Sequence, residues 1–127
     1  MAEIISLGKI NLQIFSDKFG KVQTDEVIIT NERIEHIRTH HHEDFDLFKL
    51  HGKDCVQYPD LILSDEKNFG TVFMIKKLSD TNLNLVLRLV LENEDCGLKN
   101  SVMTFWRIRA RNLKKLIKRN EILYKKE

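Results

Sequence analysis

The sequence predicts a single α+β domain: an N-terminal β-hairpin, two helices, a four-stranded antiparallel sheet and a basic C-terminal helix. Six short stretches alternate apolar with polar residues or run β-branched, which is the pattern of strands. Two other regions, about residues 32–57 and 110–118, space apolar residues by three and four, as helices do. With 127 residues and one proline, the chain has the length of one core and no linker at which to divide, so residues 1–127 are expected to form one domain.

In GKINLQIF, Ile10, Leu12 and Ile14 alternate with Asn11 and Gln13, which predicts a half-buried strand. SDKFGK reads as a turn and EVIIT as a second strand, closing a hairpin over residues 9–30. Thr30 or Asn31 can cap the next helix by accepting from the free N–H groups of its first turn, and Glu32 suits the positive end of that helix. A second helical stretch, about Asp44 to Val56, is expected to break or kink at Gly52 and to end before Tyr58, because Pro59 disfavours helical geometry in the residue preceding it. DLILSD, TVFMIKKL, LNLVLRLVLE and NSVMTFWRI then read as four strands whose short connections favour an antiparallel meander. Ala110, Leu113 and Ile117 give the last helix one apolar face.

The balance of 42% hydrophobic and 31% charged residues excludes a disordered chain. MAEIISLGKI lacks the parts of a signal peptide and no apolar run approaches membrane-spanning length, so a cytoplasmic protein without a membrane partner is expected. Cys55 and Cys96 have no metal-ligand spacing and read as free thiols in a reducing compartment, or as a bridge if the protein is exported. The net charge of +2 is unevenly spread: residues 107–127 carry +7 and residues 1–106 carry −5. A basic end on an acidic body suits a polyanion or an acidic protein surface, and equally a solvated helix face.

Four of the five histidines fall in seven positions, His36, His40, His41 and His42. On an ideal helix His41 continues the stripe of Ile34 and Ile37, as a hydrogen-bonded core residue or as a catalytic imidazole at the mouth of a cleft. His36 and His40 share another face, and with Asp44 one turn on they form a weak candidate set for a divalent metal. Alternation in LNLVLRLVLE puts Leu85, Leu87, Leu89 and Leu91 toward the helices and Arg88 on the opposite face, where it can pair with a carboxylate or hold a phosphate. By the same alternation Ser101 and Thr104 lie on opposite faces of their strand, with Trp106 on the Thr104 side.

The succession TDEVIITNERIEHIRTHH, YPDLIL, LVLRL, KNSVMTFWRI and NEILYKKE, spanning about Gly8 to Glu127, resembles the phage- and prophage-associated nucleases of the barnase, EndoU, colicin and RelE-like (BECR) class. The resemblance implies two helices followed by a four-stranded antiparallel sheet, in agreement with the layout above. The family's helix pattern falls on His36 to His42: His36 and His41 match, His40 stands where an Arg is usual and His42 where a Pro is usual. Arg88 matches the strand arginine, and Asn100, Ser101, Val102 and Thr104 match the family's Asn-Ser-Val-x-Thr segment.

What the resemblance implies is a small, metal-independent ribonuclease of toxin or prophage type, acting on RNA with tRNA as one candidate. A base removes the 2′-hydroxyl proton, the oxygen attacks the adjacent phosphate and an acid protonates the leaving 5′-oxygen. His41 and His36 are the candidates for proton transfer, since an ordinary imidazole titrates at about 6.5, near working pH. Arg88 is the candidate to stabilise charge on the phosphorane, and Ser101 or Thr104 to bond a phosphate oxygen. Arg107, Arg111, Lys114, Lys115 and Lys118 are candidates to hold the flanking backbone in a salt-dependent way. No cofactor is expected, and an inhibitor or immunity protein is a conceivable partner. Two alternatives stay open: a catalytically inactive RNA- or protein-binding module on the same fold, and a metal-dependent enzyme using His36, His40 and Asp44.

Overall fold

A computed structural model describes residues 4–127. In chain order the elements are β1 (Ile4–Lys9), α1 (Gln13–Phe19), β2 (Glu26–Thr30), α2 (Asn31–His40), a 3-10 turn (His42–Asp44), α3 (Phe45–Gln57), β3 (Leu61–Ser64), β4 (Thr71–Lys77), β5 (Asn82–Arg88), β6 (Asn100–Ile108), α4 (Ala110–Arg119) and β7 (Glu121–Lys125). The strands form one sheet in the order β1-β2-β6-β5-β4-β3-β7. The expected antiparallel meander is its centre, β3 to β6. β7 extends it antiparallel beside β3, and β2 extends it beside β6 through a short parallel pairing. The sheet is therefore seven-stranded and mixed, where four strands and a separate hairpin were expected.

The hairpin expectation fails at Ile10 to Ile14. β1 ends at Lys9, and Gln13–Phe19 is helical because Phe15 and Phe19, four apart, both enter the core. Asn11 starts the turn by accepting from the backbone N–H of Gln13 at 3.1 Å, and Gly20, at φ +71°, stops the helix. β1 and β2 still pair antiparallel, with α1 in the connection between them. α3 runs unbroken through Gly52, which is buried with the Phe48 ring so close that an added Cβ would lie 3.1 Å from it. Gly52 thus serves packing and not a kink. α3 does end before Tyr58, as the following proline requires.

α1, α2 and α3 share one side of the sheet. Phe15, Ile37, Phe48, Cys55 and Val56 meet Leu83, Leu85, Leu87, Leu89, Val102 and Phe105 there, so the leucine face of β5 does turn toward the helices. α4 covers part of the other side, where Leu113, Leu116 and Ile117 pack on Leu61, Leu63, Ile75 and Ile108. Ala110, expected on that apolar stripe, is exposed, and Leu116 takes its place. Cys55 is buried, which pushes its thiol up to about 12 and leaves it protonated; Cys96 is exposed, and both are free thiols. Among the described residues no helix is long and apolar enough to cross a membrane.

Two features of β6 position the candidate site. Its pairing with β2 covers only Asn100 and Ser101, so from Met103 onward its outer edge is free of strand partners. α2 occupies that edge instead, starting directly from β2 with Thr30 as its cap, whose Oγ1 accepts from the Arg33 N–H at 3.3 Å. The register of β6 against β5 also shifts at Met103, between the pairs Val86 with Thr104 and Leu87 with Val102. A bulge of one residue reverses the alternation beyond it. Ser101 and Thr104 therefore lie on the same face, opposite Arg88 and Val86, and not on opposite faces as the unbroken pattern implied.

Candidate active site

On the α4 side the central strands align their residues in rows. One row runs Leu61, Ile75, Asn84, Trp106, the next runs Leu63, Phe73, Val86, Thr104, and a third runs Thr71, Arg88, Ser101. Every candidate from β5 and β6, Arg88, Ser101 and Thr104, is on this face, together with Trp106. The histidines reach it around the β6 edge. α2 stops at His40, and His41 is its C-cap at φ −130° and ψ 47°. Leaving helical geometry takes His41 off the Ile34 and Ile37 stripe, so it is half-buried against Trp106 and not part of the core. Its ring stacks on the indole with 5.7 Å between centroids and 27° between planes.

Three imidazoles gather at that corner. His36 lies 4.6 Å from His40 and 6.2 Å from His41, centroid to centroid. His36 and His41 are half-buried and His40 is exposed. Burial pushes the His36 pKa below its usual value, helped by the neighbouring charges of His40, Arg33 and His41. A lowered imidazole is unprotonated at neutral pH, the state a general base needs. At 6.2 Å from a second imidazole, one phosphate can touch both rings.

Two predicted roles are not supported by the geometry. Asp44 does not join His36 and His40 in a metal set. It is buried on Arg107, accepting from the Arg107 Nε at 2.5 Å and from its backbone N–H at 3.1 Å. Among the described residues no group of three or more His, Cys, Asp or Glu side chains is placed to hold a metal. Arg88 shares the face but not the corner. It lies four residues along β5 from Asn84, the register partner of Trp106, which is about 13 Å at the rise of a strand. Its guanidinium donates to the Leu89 carbonyl at 2.6 Å and to the Glu94 carboxylate at 3.0 Å, and Glu94 also accepts from the Leu91 N–H. That is a loop clamp, the ion-paired reading of this residue. Ser101 sits beside Arg88 at the same remote end, whereas Thr104 is one row from Trp106.

The basic residues divide as well. A groove of about 350 Å³ between the end of β6 and α4 is lined by Trp106, Arg107, Ile108, Arg109, Asn112, Lys115, Leu116 and Arg119. Of the predicted basic residues, Lys115 and Arg107 line this groove. Arg107 borders the groove with its guanidinium engaged by Asp44 and by Glu43 at 3.5 Å. Arg111, Lys114 and Lys118 are exposed on another face of α4. Arg109, Asn112 and Arg119 were missed as site residues, although their recurrence with Lys115 at helical spacing marks one face beside the buried stripe. Trp106 is half-buried and links the imidazole corner to the basic groove.

The site is an edge-strand indole flanked on one side by clustered imidazoles and on the other by a basic helix, on an α+β fold with a seven-stranded mixed sheet. The chain matches no family model, no curated protein and no solved structure.

Proposed function

We propose that this domain is a small ribonuclease that binds single-stranded RNA across Trp106 and the α4 groove and cleaves it with the imidazoles of His36 and His41. The observation that carries the reading is the contact of His36 and His41 at 6.2 Å, with His41 stacked on Trp106 beside a groove rich in Arg and Lys. Indole and imidazole faces stack with bases of any sequence, and the cations hold the flanking phosphates. In this arrangement His36, held unprotonated at neutral pH, removes the 2′-hydroxyl proton. The 2′-oxygen attacks phosphorus, the bond to the 5′-oxygen breaks, and His41 supplies the proton that the leaving oxygen takes up. The products are a 2′,3′-cyclic phosphate and a free 5′-hydroxyl. Lys115 and Arg119, and not Arg88, are the cations placed to offset the phosphate charge.

One observation favours a second reading, RNA binding without cleavage: the arginine expected at the phosphorane is clamped on Glu94. Incubation of the protein with total RNA and with tRNA in excess EDTA separates the two, with end-group analysis of the fragments. Cleavage leaving 2′,3′-cyclic phosphates, reduced at least about 100-fold in both His36→Ala and His41→Ala, is expected for paired proton transfer. Salt-sensitive RNA binding with no fragments would establish the binding module, and cleavage unaffected by both substitutions would remove the proposed site.

A further inference from the structure

Asn84 is the one side chain of the site's central row that its surroundings do not explain. It lies fully buried on β5, between Ile75 and Trp106 on the neighbouring strands and between Leu83 and Leu85 along its own. Neither its amide nitrogen nor its amide oxygen has a hydrogen-bond partner among the described residues, and the same is true of the Thr104 hydroxyl. Thr104 pairs with Val86, two residues from Asn84, so the two orphaned side chains share one face on adjacent strands. Buried polar groups are nearly always satisfied, and an exception calls for a role. Other buried polar residues here meet the rule: Asn100 donates to the Thr24 and Glu26 carbonyls and accepts from the Val90 N–H. A leucine or valine at position 84 would remove the unpaired amide from the core, so the amide is retained at a cost to stability.

Location supplies the role. Trp106 is the cross-strand partner of Asn84 and borders the groove, so the polar pair lies beside the indole that meets the surface where RNA is proposed to lie. The indole is half-buried, with part of its surface already open to solvent. An amide presents a donor and an acceptor side by side, the pattern that pairs with one edge of a base. We propose that Asn84, assisted by Thr104, recognises a nucleobase that enters when Trp106 swings out from the sheet, and so sets the base preference of the site. The inference rests on the RNA-binding reading above and adds the residue that gives it specificity.

The test uses the chain's single tryptophan, Trp106, as its reporter. Short 2′-O-methyl oligonucleotides of A, C, G or U, which cannot undergo 2′-oxygen attack, are titrated into the wild type, Asn84→Leu and Thr104→Val while emission is followed. The wild type is expected to prefer one base by roughly tenfold to a hundredfold, the range of one bidentate contact, with a red shift as the indole enters water. Asn84→Leu is expected to bind all four alike, at the affinity of the weaker ones, and to melt at a temperature no lower than the wild type. Thr104→Val, which keeps its shape, is expected to lose part of the preference, and it carries the test if Asn84→Leu fails to fold. An unchanged base preference in the folded variants would overturn the role of Asn84 while leaving RNA binding standing. Absence of binding by the wild type to all four oligonucleotides would overturn both, and stabilised variants with unaltered binding would mark the amide as a structural group only.

Discussion

Replacing Asp44 tests whether the corner that carries His41 is held by the contact identified above. The Asp44 carboxylate accepts twice from Arg107, once from Nε and once from the backbone N–H, and the Asp44 backbone N–H donates to the His41 carbonyl at 2.9 Å. Asp44 is 12% exposed and Arg107 45%, so the ion pair is partly screened and contributes about 1 kcal/mol, not the value of a buried pair. The backbone contact adds more. The Arg107 N–H lies on the outer edge of β6, which β2 does not reach there, and without Asp44 it loses its acceptor, a cost of about 1–2 kcal/mol. Asp44→Ala should therefore destabilise the fold by about 2–3 kcal/mol, whereas Asp44→Asn, which keeps an oxygen for the N–H, should cost about 1 kcal/mol. Urea unfolding followed by Trp106 emission measures both, read as midpoint shifts at constant slope. A loss under about 0.5 kcal/mol in Asp44→Ala, or equal losses in the two variants, would refute the backbone contact as the main term.

Three further substitutions address the histidines and the Arg88 clamp. His36 titrates lower in the folded protein than in the unfolded chain, so the unfolded state binds more protons as pH falls through about 6.5. Stability should decline through that window toward the folded value and level off below it. His36→Asn should flatten the decline between pH 7.5 and 5.5 in urea midpoints; an unaltered slope would show that the histidine is not desolvated. Gly70→Ala should cost at least about 1 kcal/mol, because φ is +93° and the new Cβ would lie 2.5 Å from the Arg88 Nη1. Arg88→Ala should lose a similar amount by releasing Glu94 while cutting RNA far better than His41→Ala; equal loss of cleavage in the two would restore Arg88 to the chemistry.

The central strands were legible because their apolar alternation is long and undisturbed: the leucines of β5 do face the helices. Single-residue stops worked too, Thr30 as a cap and Tyr58 before Pro59, since each acts within a few positions of itself. Apart from Gly52, whose neighbour Phe48 is on the same helix, the failures involve partners distant in sequence. Ile10, Leu12 and Ile14 alternate, but Phe15 and Phe19 bury more surface as a helix. Met103 adds one residue to β6, and no local pattern betrays a bulge that depends on β5. Glu121 to Lys125 became β7 because β3 has an open edge to receive it. At the site, the resemblance named both His36 and His41, although helical spacing set them on different faces, and the stack on Trp106 depends on α2 following the β6 edge. Asp44 looked like a metal ligand because Arg107, its partner, lies on another element. Asn84 passed unnoticed since one asparagine in an apolar strand has no signature until its amide is found without partners.

The parallel contact of Val27 and Ile28 with Asn100 and Ser101 also sets when the surface can exist. α2 is made early, but the strand it rests on follows β3, β4 and β5, and the basic helix comes later still. A chain emerging from a ribosome thus carries its histidines well before it has the indole and the basic helix. That order of synthesis withholds the complete surface until both β6 and α4 have been made.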